Sequence, residues 1–186
     1  GVLNNLHEHV LKMLKERHPL ECFVEAKDFS SWSFSKNFKK NQIALYKELF
    51  SESCFWSNIP TTSGSQKAID GLRKKNIVLF VTKPDLQCNE WCLLRTNWLK
   101  KHFDTNDKNI IFAASKQYVY GDVFIEDSLR NIIRWGDFMI KINPNIKTFV
   151  FDRPYNSVSS PLYKKTNQQI LHRIHSWEIG LENLIG

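Results

Sequence analysis

Residues 76–85 of the chain read NIVLFVTKPD, and this stretch decides the fold. The run from Ile77 to Val81 is short, aliphatic and uninterrupted, which is typical of a strand that is buried on both faces of a parallel sheet. Thr82 and Lys83 follow at the point where that strand ends. The stretch therefore predicts a buried strand with a hydroxyl and an ammonium group at its carboxyl end.

Similar apolar runs alternate with helical patterns along the rest of the chain. Strands are predicted over residues 77–81, 110–113, 123–125 and 148–151, and helices over residues 3–17, 65–74, 90–103, 128–135 and 166–184. This alternation predicts an α/β fold with a Rossmann-like parallel sheet flanked by helices.

Residues 19–60 break the alternation. They are rich in aromatic side chains, are interrupted by Ser and Asn, and carry one helical pattern near residues 40–50. We predict a small, mainly helical cap over residues 19–60, inserted into an α/β core formed by residues 1–18 and 61–186.

Composition limits the classes of function. The chain has 186 residues and a formal net charge of +7, which indicates an anionic partner. Because the basic residues are scattered in short groups, they are more typical of solvated surface charge than of a nucleic-acid face. No run is long enough to span a bilayer. Four cysteines without a CxxC pair indicate free thiols in a reducing compartment.

Two pairs of closely spaced histidines are candidate metal ligands. On a helix, His7 and His9 point about 200° apart, so they cannot share a metal ion. His172 and His175 share a helical face, but no acidic or cysteine partner stands near them in sequence, which favours a surface or capping role.

Chemistry in parallel sheets gathers at the carboxyl ends of the strands. Thr82 and Lys83 follow the first predicted strand, Lys116 follows the second, and Glu126 and Asp127 follow the third. The hydroxyl and ammonium groups suit phosphate oxygens, and the two acids suit a divalent cation. Each residue alone has a simpler explanation as a strand end, a solvated lysine or a helix cap. Their order along the chain favours a phosphate and metal site.

At these residues the chain resembles the 5'(3')-deoxyribonucleotidases of the haloacid dehalogenase superfamily. GVL at residues 1–3 matches the last three positions of that family's D-x-D-G-V-L motif. LFVTKPD at residues 79–85 looks like its second motif, and SKQYVYGDVFIED at residues 115–127 resembles its third and fourth motifs. RIHSW at residues 173–177 is similar to its tail signature, so the resemblance covers essentially the whole chain.

The resemblance implies a haloacid dehalogenase-like fold and a Mg²⁺-dependent phosphatase. In the family, one aspartate of D-x-D attacks the phosphorus of a nucleoside monophosphate and forms an aspartyl-phosphate, while the other moves the protons. Both would stand ahead of Gly1. We therefore expect the natural protein to continue upstream with an apolar strand, and we expect the chain as given to be inactive.

Carried over by position, five residues receive roles from the resemblance. Thr82 and Lys83 would bind the substrate phosphate, Lys116 would act in catalysis by neutralising that phosphate, and Asp127 would bind Mg²⁺ with Glu126 beside it.

Trp32 would lie in the cap against the nucleotide base; packing in the core of the cap is the alternative. The sequence departs from the family at three positions. Lys83 stands where the family has serine, Ala114 where it has arginine, and Glu126 where it has aspartate. These departures favour a second hypothesis, in which the protein is an inactive homologue that binds a nucleotide or a protein partner. Composition alone leaves a third, a basic nucleic-acid-binding module.

The expected partner is a small-molecule nucleotide, without membrane association and without nucleic acid; whether the protein forms a homodimer is left open. With no targeting signal in the sequence, we expect a cytoplasmic location, and a mitochondrial transit peptide ahead of Gly1 stays an alternative.

Overall fold

The structure, a computed structural model, describes residues 2–179. Six α-helices are described: α1 (Leu6–Arg17), α2 (Gln42–Ser51), α3 (Ser53–Ser57), α4 (Ser65–Arg73), α5 (Trp91–Phe103) and α6 (Leu129–Met139). Five strands are described: β1 (Phe80–Thr82), β2 (Ile110–Phe112), β3 (Val123–Glu126), β4 (Lys147–Phe151) and β5 (Leu171–Ile174). Short 3-10 turns connect several of them.

Every strand pairing among these residues is parallel. β1 pairs with β2, and β3, β4 and β5 form a second sheet in that order. Side chains of both sheets, including Phe80 and Phe149, pack with α4 and α5 in one buried apolar cluster. The predicted α/β fold with a parallel sheet flanked by helices is therefore confirmed.

The helix predicted over residues 166–184 is wrong within the described part of the chain. Strand β5 lies there instead and extends the second sheet. β5 runs parallel to β4, with His172 opposite Phe149 and Ile174 opposite Phe151. A spacing of four residues fits both a helical face and a strand face, so the apolar pattern did not separate the two.

Other boundaries moved by a few residues. α1 begins at Leu6, later than predicted, and Asn4 ahead of it forms an antiparallel bridge with Thr61. β1 begins at Phe80, later than predicted, and α6 continues to Met139. All four cysteines are free thiols, as expected.

Residues 19–60 hold α2, α3 and two short 3-10 turns. Their aromatic side chains form a buried cluster that also includes α1 and the first residue of α5, and its rings are Phe23, Phe29, Phe38, Tyr46, Phe50, Phe55, Trp56 and Trp91. We call residues 19–60 the cap below. No described helix is long and apolar enough to cross a membrane.

Candidate active site

The strand register brings the predicted phosphate-binding loops together. Thr82 pairs with Phe112 at the carboxyl ends of β1 and β2, and the backbone N–H of Ala113 donates to the Thr82 carbonyl at 2.9 Å. The loop that carries Lys116 therefore leaves the sheet beside the loop that carries Lys83. Thr82 is half-buried, and its hydroxyl makes no hydrogen bond to any of residues 2–179, whereas Lys83 is exposed.

Lys116 and Glu126 form an ion pair that joins the two sheets. Lys116 follows β2 and Glu126 ends β3, and Lys116 Nζ lies 2.5 Å from Glu126 Oε2. The side chains are 17% and 5% exposed. Glu126 Oε1 accepts the backbone N–H groups of Asp127 and Ser128 at 3.1 and 3.2 Å. Burial raises the pKa of Glu126, and the Lys116 ammonium opposes that rise.

Asp127 is buried beside this pair and is held by the turn that follows β4. The Tyr155 hydroxyl donates to Asp127 Oδ2 at 2.6 Å, and Asn156 Nδ2 donates to the Asp127 carbonyl at 2.8 Å. Burial and the neighbouring Asp127 carboxylate raise the pKa of Tyr155 well above its usual value. Tyr155 therefore stays protonated and remains a hydrogen-bond donor to Asp127 at all ordinary pH values.

A polar network continues from Asn156 towards β5. Arg173 donates to Asn156 Oδ1 at 3.1 Å and to the Asn156 carbonyl at 2.5 Å, and it pairs with the Asp152 carboxylate. His175 Nδ1 lies 3.0 Å from the other oxygen of Asp152. The five residues of this network and of the Asp127 contact were not predicted as site residues: Asp152, Tyr155, Asn156, Arg173 and His175. The turn DRPYN directly after β4 was the available signal, because it stands at a strand end.

His7 lies where the cap meets the Asp127 site. Its ring stacks on Phe34 with centroids 4.9 Å apart and an interplanar angle of 14°. The rings of Phe29 and Tyr155 each lie 5.2 Å away. Burial lowers the pKa of His7 to about 3, with the Arg153 charge adding to the shift and Asp127 opposing it. His7 is therefore a neutral imidazole at physiological pH.

Trp32 lies in the cap between two short 3-10 turns and is 54% exposed. It does not belong to the buried aromatic cluster of the cap. The alternative that Trp32 packs in the core of the cap is therefore wrong, and its indole is available to a ligand.

This edge of the sheet provides one carboxylate that suits Mg²⁺ as a ligand. Mg²⁺ is usually bound through one or two carboxylates together with substrate phosphate and water. The Asp127 carboxylate, 4% exposed at the end of β3, is a hard oxygen donor of this kind. Oε1 of Glu126 already accepts a backbone hydrogen bond, and its Oε2 is paired with the Lys116 ammonium group. Within residues 2–179, no three His, Cys, Asp or Glu side chains cluster as a complete metal site.

Three further histidines contact an aromatic ring or a carboxylate: His9, His172 and His175. His172 stacks on Phe149 with ring centroids 5.0 Å apart, and His175 pairs with Asp152. His9 stacks on Phe55.

Comparison with known families agrees with this geometry. A family model described as "5' nucleotidase, deoxy (Pyrimidine), cytosolic type C protein" matches residues 1–181. The chain belongs to this family. The match confirms the 5'(3')-deoxyribonucleotidase resemblance and places the chain among nucleotidases, which are hydrolases of nucleotide metabolism. No curated protein matches the chain.

Proposed function

We propose that this protein is a Mg²⁺-dependent 5'-nucleotidase that dephosphorylates deoxynucleoside monophosphates through an aspartyl-phosphate. The observation that carries the proposal is the meeting of Lys116, Glu126 and Asp127 at the carboxyl ends of β2 and β3, in a chain of this family. A buried ammonium group beside two buried carboxylates suits a phosphate dianion and a divalent cation.

In this proposal each residue has a defined task. Lys116 neutralises the phosphate, Thr82 donates its hydroxyl to a phosphate oxygen, and Lys83 adds positive charge at the entrance. Asp127 holds Mg²⁺, which would neutralise the phosphate charge as the ester bond breaks. Glu126 is predicted as a metal ligand beside Asp127, and its ion pair also holds Lys116 in place. Trp32 contacts the base from the cap.

The nucleophile and the acid/base group are proposed to be two aspartates on a strand ahead of Gly1, a residue outside the described range. The edges of the two sheets support this placement. Among residues 2–179, β1 pairs only with β2, and β3 pairs only with β4, so each keeps one edge able to accept a strand. Phe80 of β1 and Ile125 of β3 already pack in one cluster.

The proposed chemistry transfers the phosphoryl group twice. A carboxylate oxygen of the first aspartate attacks phosphorus, and the phosphorus–oxygen bond to the nucleoside breaks. The second aspartate gives its proton to the leaving oxygen and then removes a proton from water, which attacks the acyl-phosphate and releases inorganic phosphate. Lys116 stabilises the negative charge of the phosphoryl group in both steps.

The competing proposal is a homologue without turnover that binds a nucleotide or a protein. Ala114 and Lys83, which stand where the family has arginine and serine, are the observations in its favour. Under both proposals we propose a cytoplasmic location, in line with the words "cytosolic type C" in the family description.

Hydrolysis assays separate the two proposals. Phosphate release from deoxynucleoside 5'-monophosphates is measured with Mg²⁺ for the 186-residue chain and for a protein extended by its natural upstream sequence. We expect release from the extended protein alone, and none when EDTA removes the metal. An extended protein that binds the nucleotide and releases no phosphate would support the inactive homologue.

A further inference from the structure

His7 is held in a fixed orientation between the cap and the acidic site. Phe34 stacks on one face of its ring, and Phe29 meets it edge on at an interplanar angle of 89°. Tyr155, whose hydroxyl holds Asp127, lies on the side of the acidic site. Three rings from the cap and the core therefore define the position of one imidazole.

The ring nitrogens of His7 are available for hydrogen bonding. Neither bonds to any residue in the described range of 2–179, and neither belongs to the buried polar atoms that lack a partner. The His7 side chain is only partly buried. Nε2 of His9, by contrast, is buried without a partner. A neutral imidazole has one nitrogen that donates and one that accepts a hydrogen bond.

His7 lies between the cap and the Asp127 site, and the proposed function would place the sugar of a bound nucleotide between these two parts. On the Asp127 side, the proposed function has the phosphate and Mg²⁺, and on the cap side, it has the base. The sugar of any nucleotide connects these two ends. In a deoxynucleoside 5'-monophosphate, the free hydroxyl of that sugar is at the 3' position, and a hydroxyl both donates and accepts, as a neutral imidazole does.

We infer that His7 hydrogen-bonds the 3'-hydroxyl of a bound deoxynucleoside 5'-monophosphate and is a specificity-determining residue of this site. The inference rests on the proposed function, since it requires the phosphate end of the ligand to lie at Asp127 and Lys116. It adds a sugar-recognising group to a site whose other proposed contacts address the phosphate and the base. Since the rings of Phe29, Phe34 and Tyr155 already fix the imidazole, little side-chain entropy is lost on binding.

Calorimetric titration of the full chain with Mg²⁺ tests the inference. The ligands are thymidine 5'-monophosphate, its 2',3'-dideoxy analogue and inorganic phosphate. The wild type is expected to bind the first about 3- to 10-fold more tightly than the second, the range of one neutral hydrogen bond. His7→Phe keeps the stacked ring and removes both nitrogens, so it should bind the two nucleotides equally and bind phosphate as the wild type does.

His9→Phe is the matched control, because it also exchanges an imidazole stacked on a phenylalanine, and it should keep the wild-type preference. Circular dichroism checks folding, and His7→Leu replaces His7→Phe if the latter unfolds. A wild type without preference for the 3'-hydroxyl, or a folded His7 variant that keeps the preference, overturns the inference and leaves the proposed function standing. A wild type that binds none of the three ligands also overturns the inference, and phosphate release by the upstream-extended protein then decides whether the proposed function stands.

Discussion

Lys116 Nζ lies 2.5 Å from Glu126 Oε2, and this ion pair connects the loop after β2 to the end of β3. Because β2 and β3 belong to different sheets, the pair is a structural link, and it is also the proposed anion-binding element. Its two roles can be separated by experiment.

Removing the Lys116 charge should destabilise the protein. Lys116→Met leaves Glu126 buried without its partner, which costs about 3 kcal/mol of unfolding free energy. Urea denaturation measures the loss. The double variant Lys116→Met with Glu126→Gln should recover part of it, because no buried charge remains unpaired. If the double variant is no more stable than the single one, the ion pair is not the cause.

Asn156 should be a main structural support of the site. Its buried amide donates to the carbonyls of Asp127 and Phe151 and accepts from the Arg153 N–H and from Arg173. Asn156→Ala leaves these groups unpaired and should cost roughly 3 kcal/mol of unfolding free energy. Asn145→Ala, at an exposed position, serves as the control with a change within about 0.5 kcal/mol. Equal melting curves for the two variants would contradict the assignment.

Trp32 and Trp56 should separate ligand binding from stability. Trp32 is 54% exposed and Trp56 belongs to the buried aromatic cluster. Trp32→Ala should weaken nucleotide binding by about 10-fold, the loss of one stacking contact, with little change in melting temperature. Trp56→Ala should cost about 3–5 kcal/mol of unfolding free energy. Unchanged nucleotide affinity in Trp32→Ala would remove Trp32 from the site.

His7 should make the protein sensitive to acid. Burial lowers its pKa to about 3 in the folded protein, while the unfolded chain titrates near 6.5. Unfolding therefore takes up a proton below pH 6.5, so the stability that His7 contributes is present above pH 6.5 and is lost as the pH falls towards 3. The charged side chains that act on His7 are Asp127, which raises its pKa, and Arg153, which lowers it, and the amino-terminal charge of the chain also lowers it.

The unfolding free energies of the wild type and His7→Phe, measured between pH 7.5 and 4.5, check this prediction. The wild type should lose more stability over that range than the variant. Parallel curves would show that His7 is not buried in neutral form.

The sequence predicted the parallel sheet for a physical reason. Apolar runs predicted the strands because both faces of a parallel sheet are normally covered. That cover is complete for Phe149, Val150 and Phe151 of β4, whereas Ile77, ahead of β1, is 86% exposed. β5 was predicted as a helix because the four-residue spacing from Ile170 to Ile174 fits both periodicities. Tyr155 and His7 were not assigned to the site. Their positions depend on long-range packing of α1 and of the turn after β4, and a local sequence pattern cannot predict such packing.

The division into a core of residues 1–18 and 61–186 and a cap of residues 19–60 stays a prediction. The cap shares its aromatic cluster with Val10 and Leu14 of α1 and with Trp91 of α5, so it is packed closely against the core. Tight packing of this kind favours a cap that is fixed against α1 over one that moves independently.

The most direct measurement of the central claim is phosphate release by the upstream-extended protein carrying Asp127→Asn. The variant should lose on the order of 100-fold in kcat with thymidine 5'-monophosphate, and it should need more Mg²⁺ for half-maximal rate, because it removes the carboxylate proposed to hold the metal. Asp137→Asn, an exposed change on α6, should keep the wild-type rate. Wild-type rate and Mg²⁺ dependence in Asp127→Asn would contradict the assignment of this site.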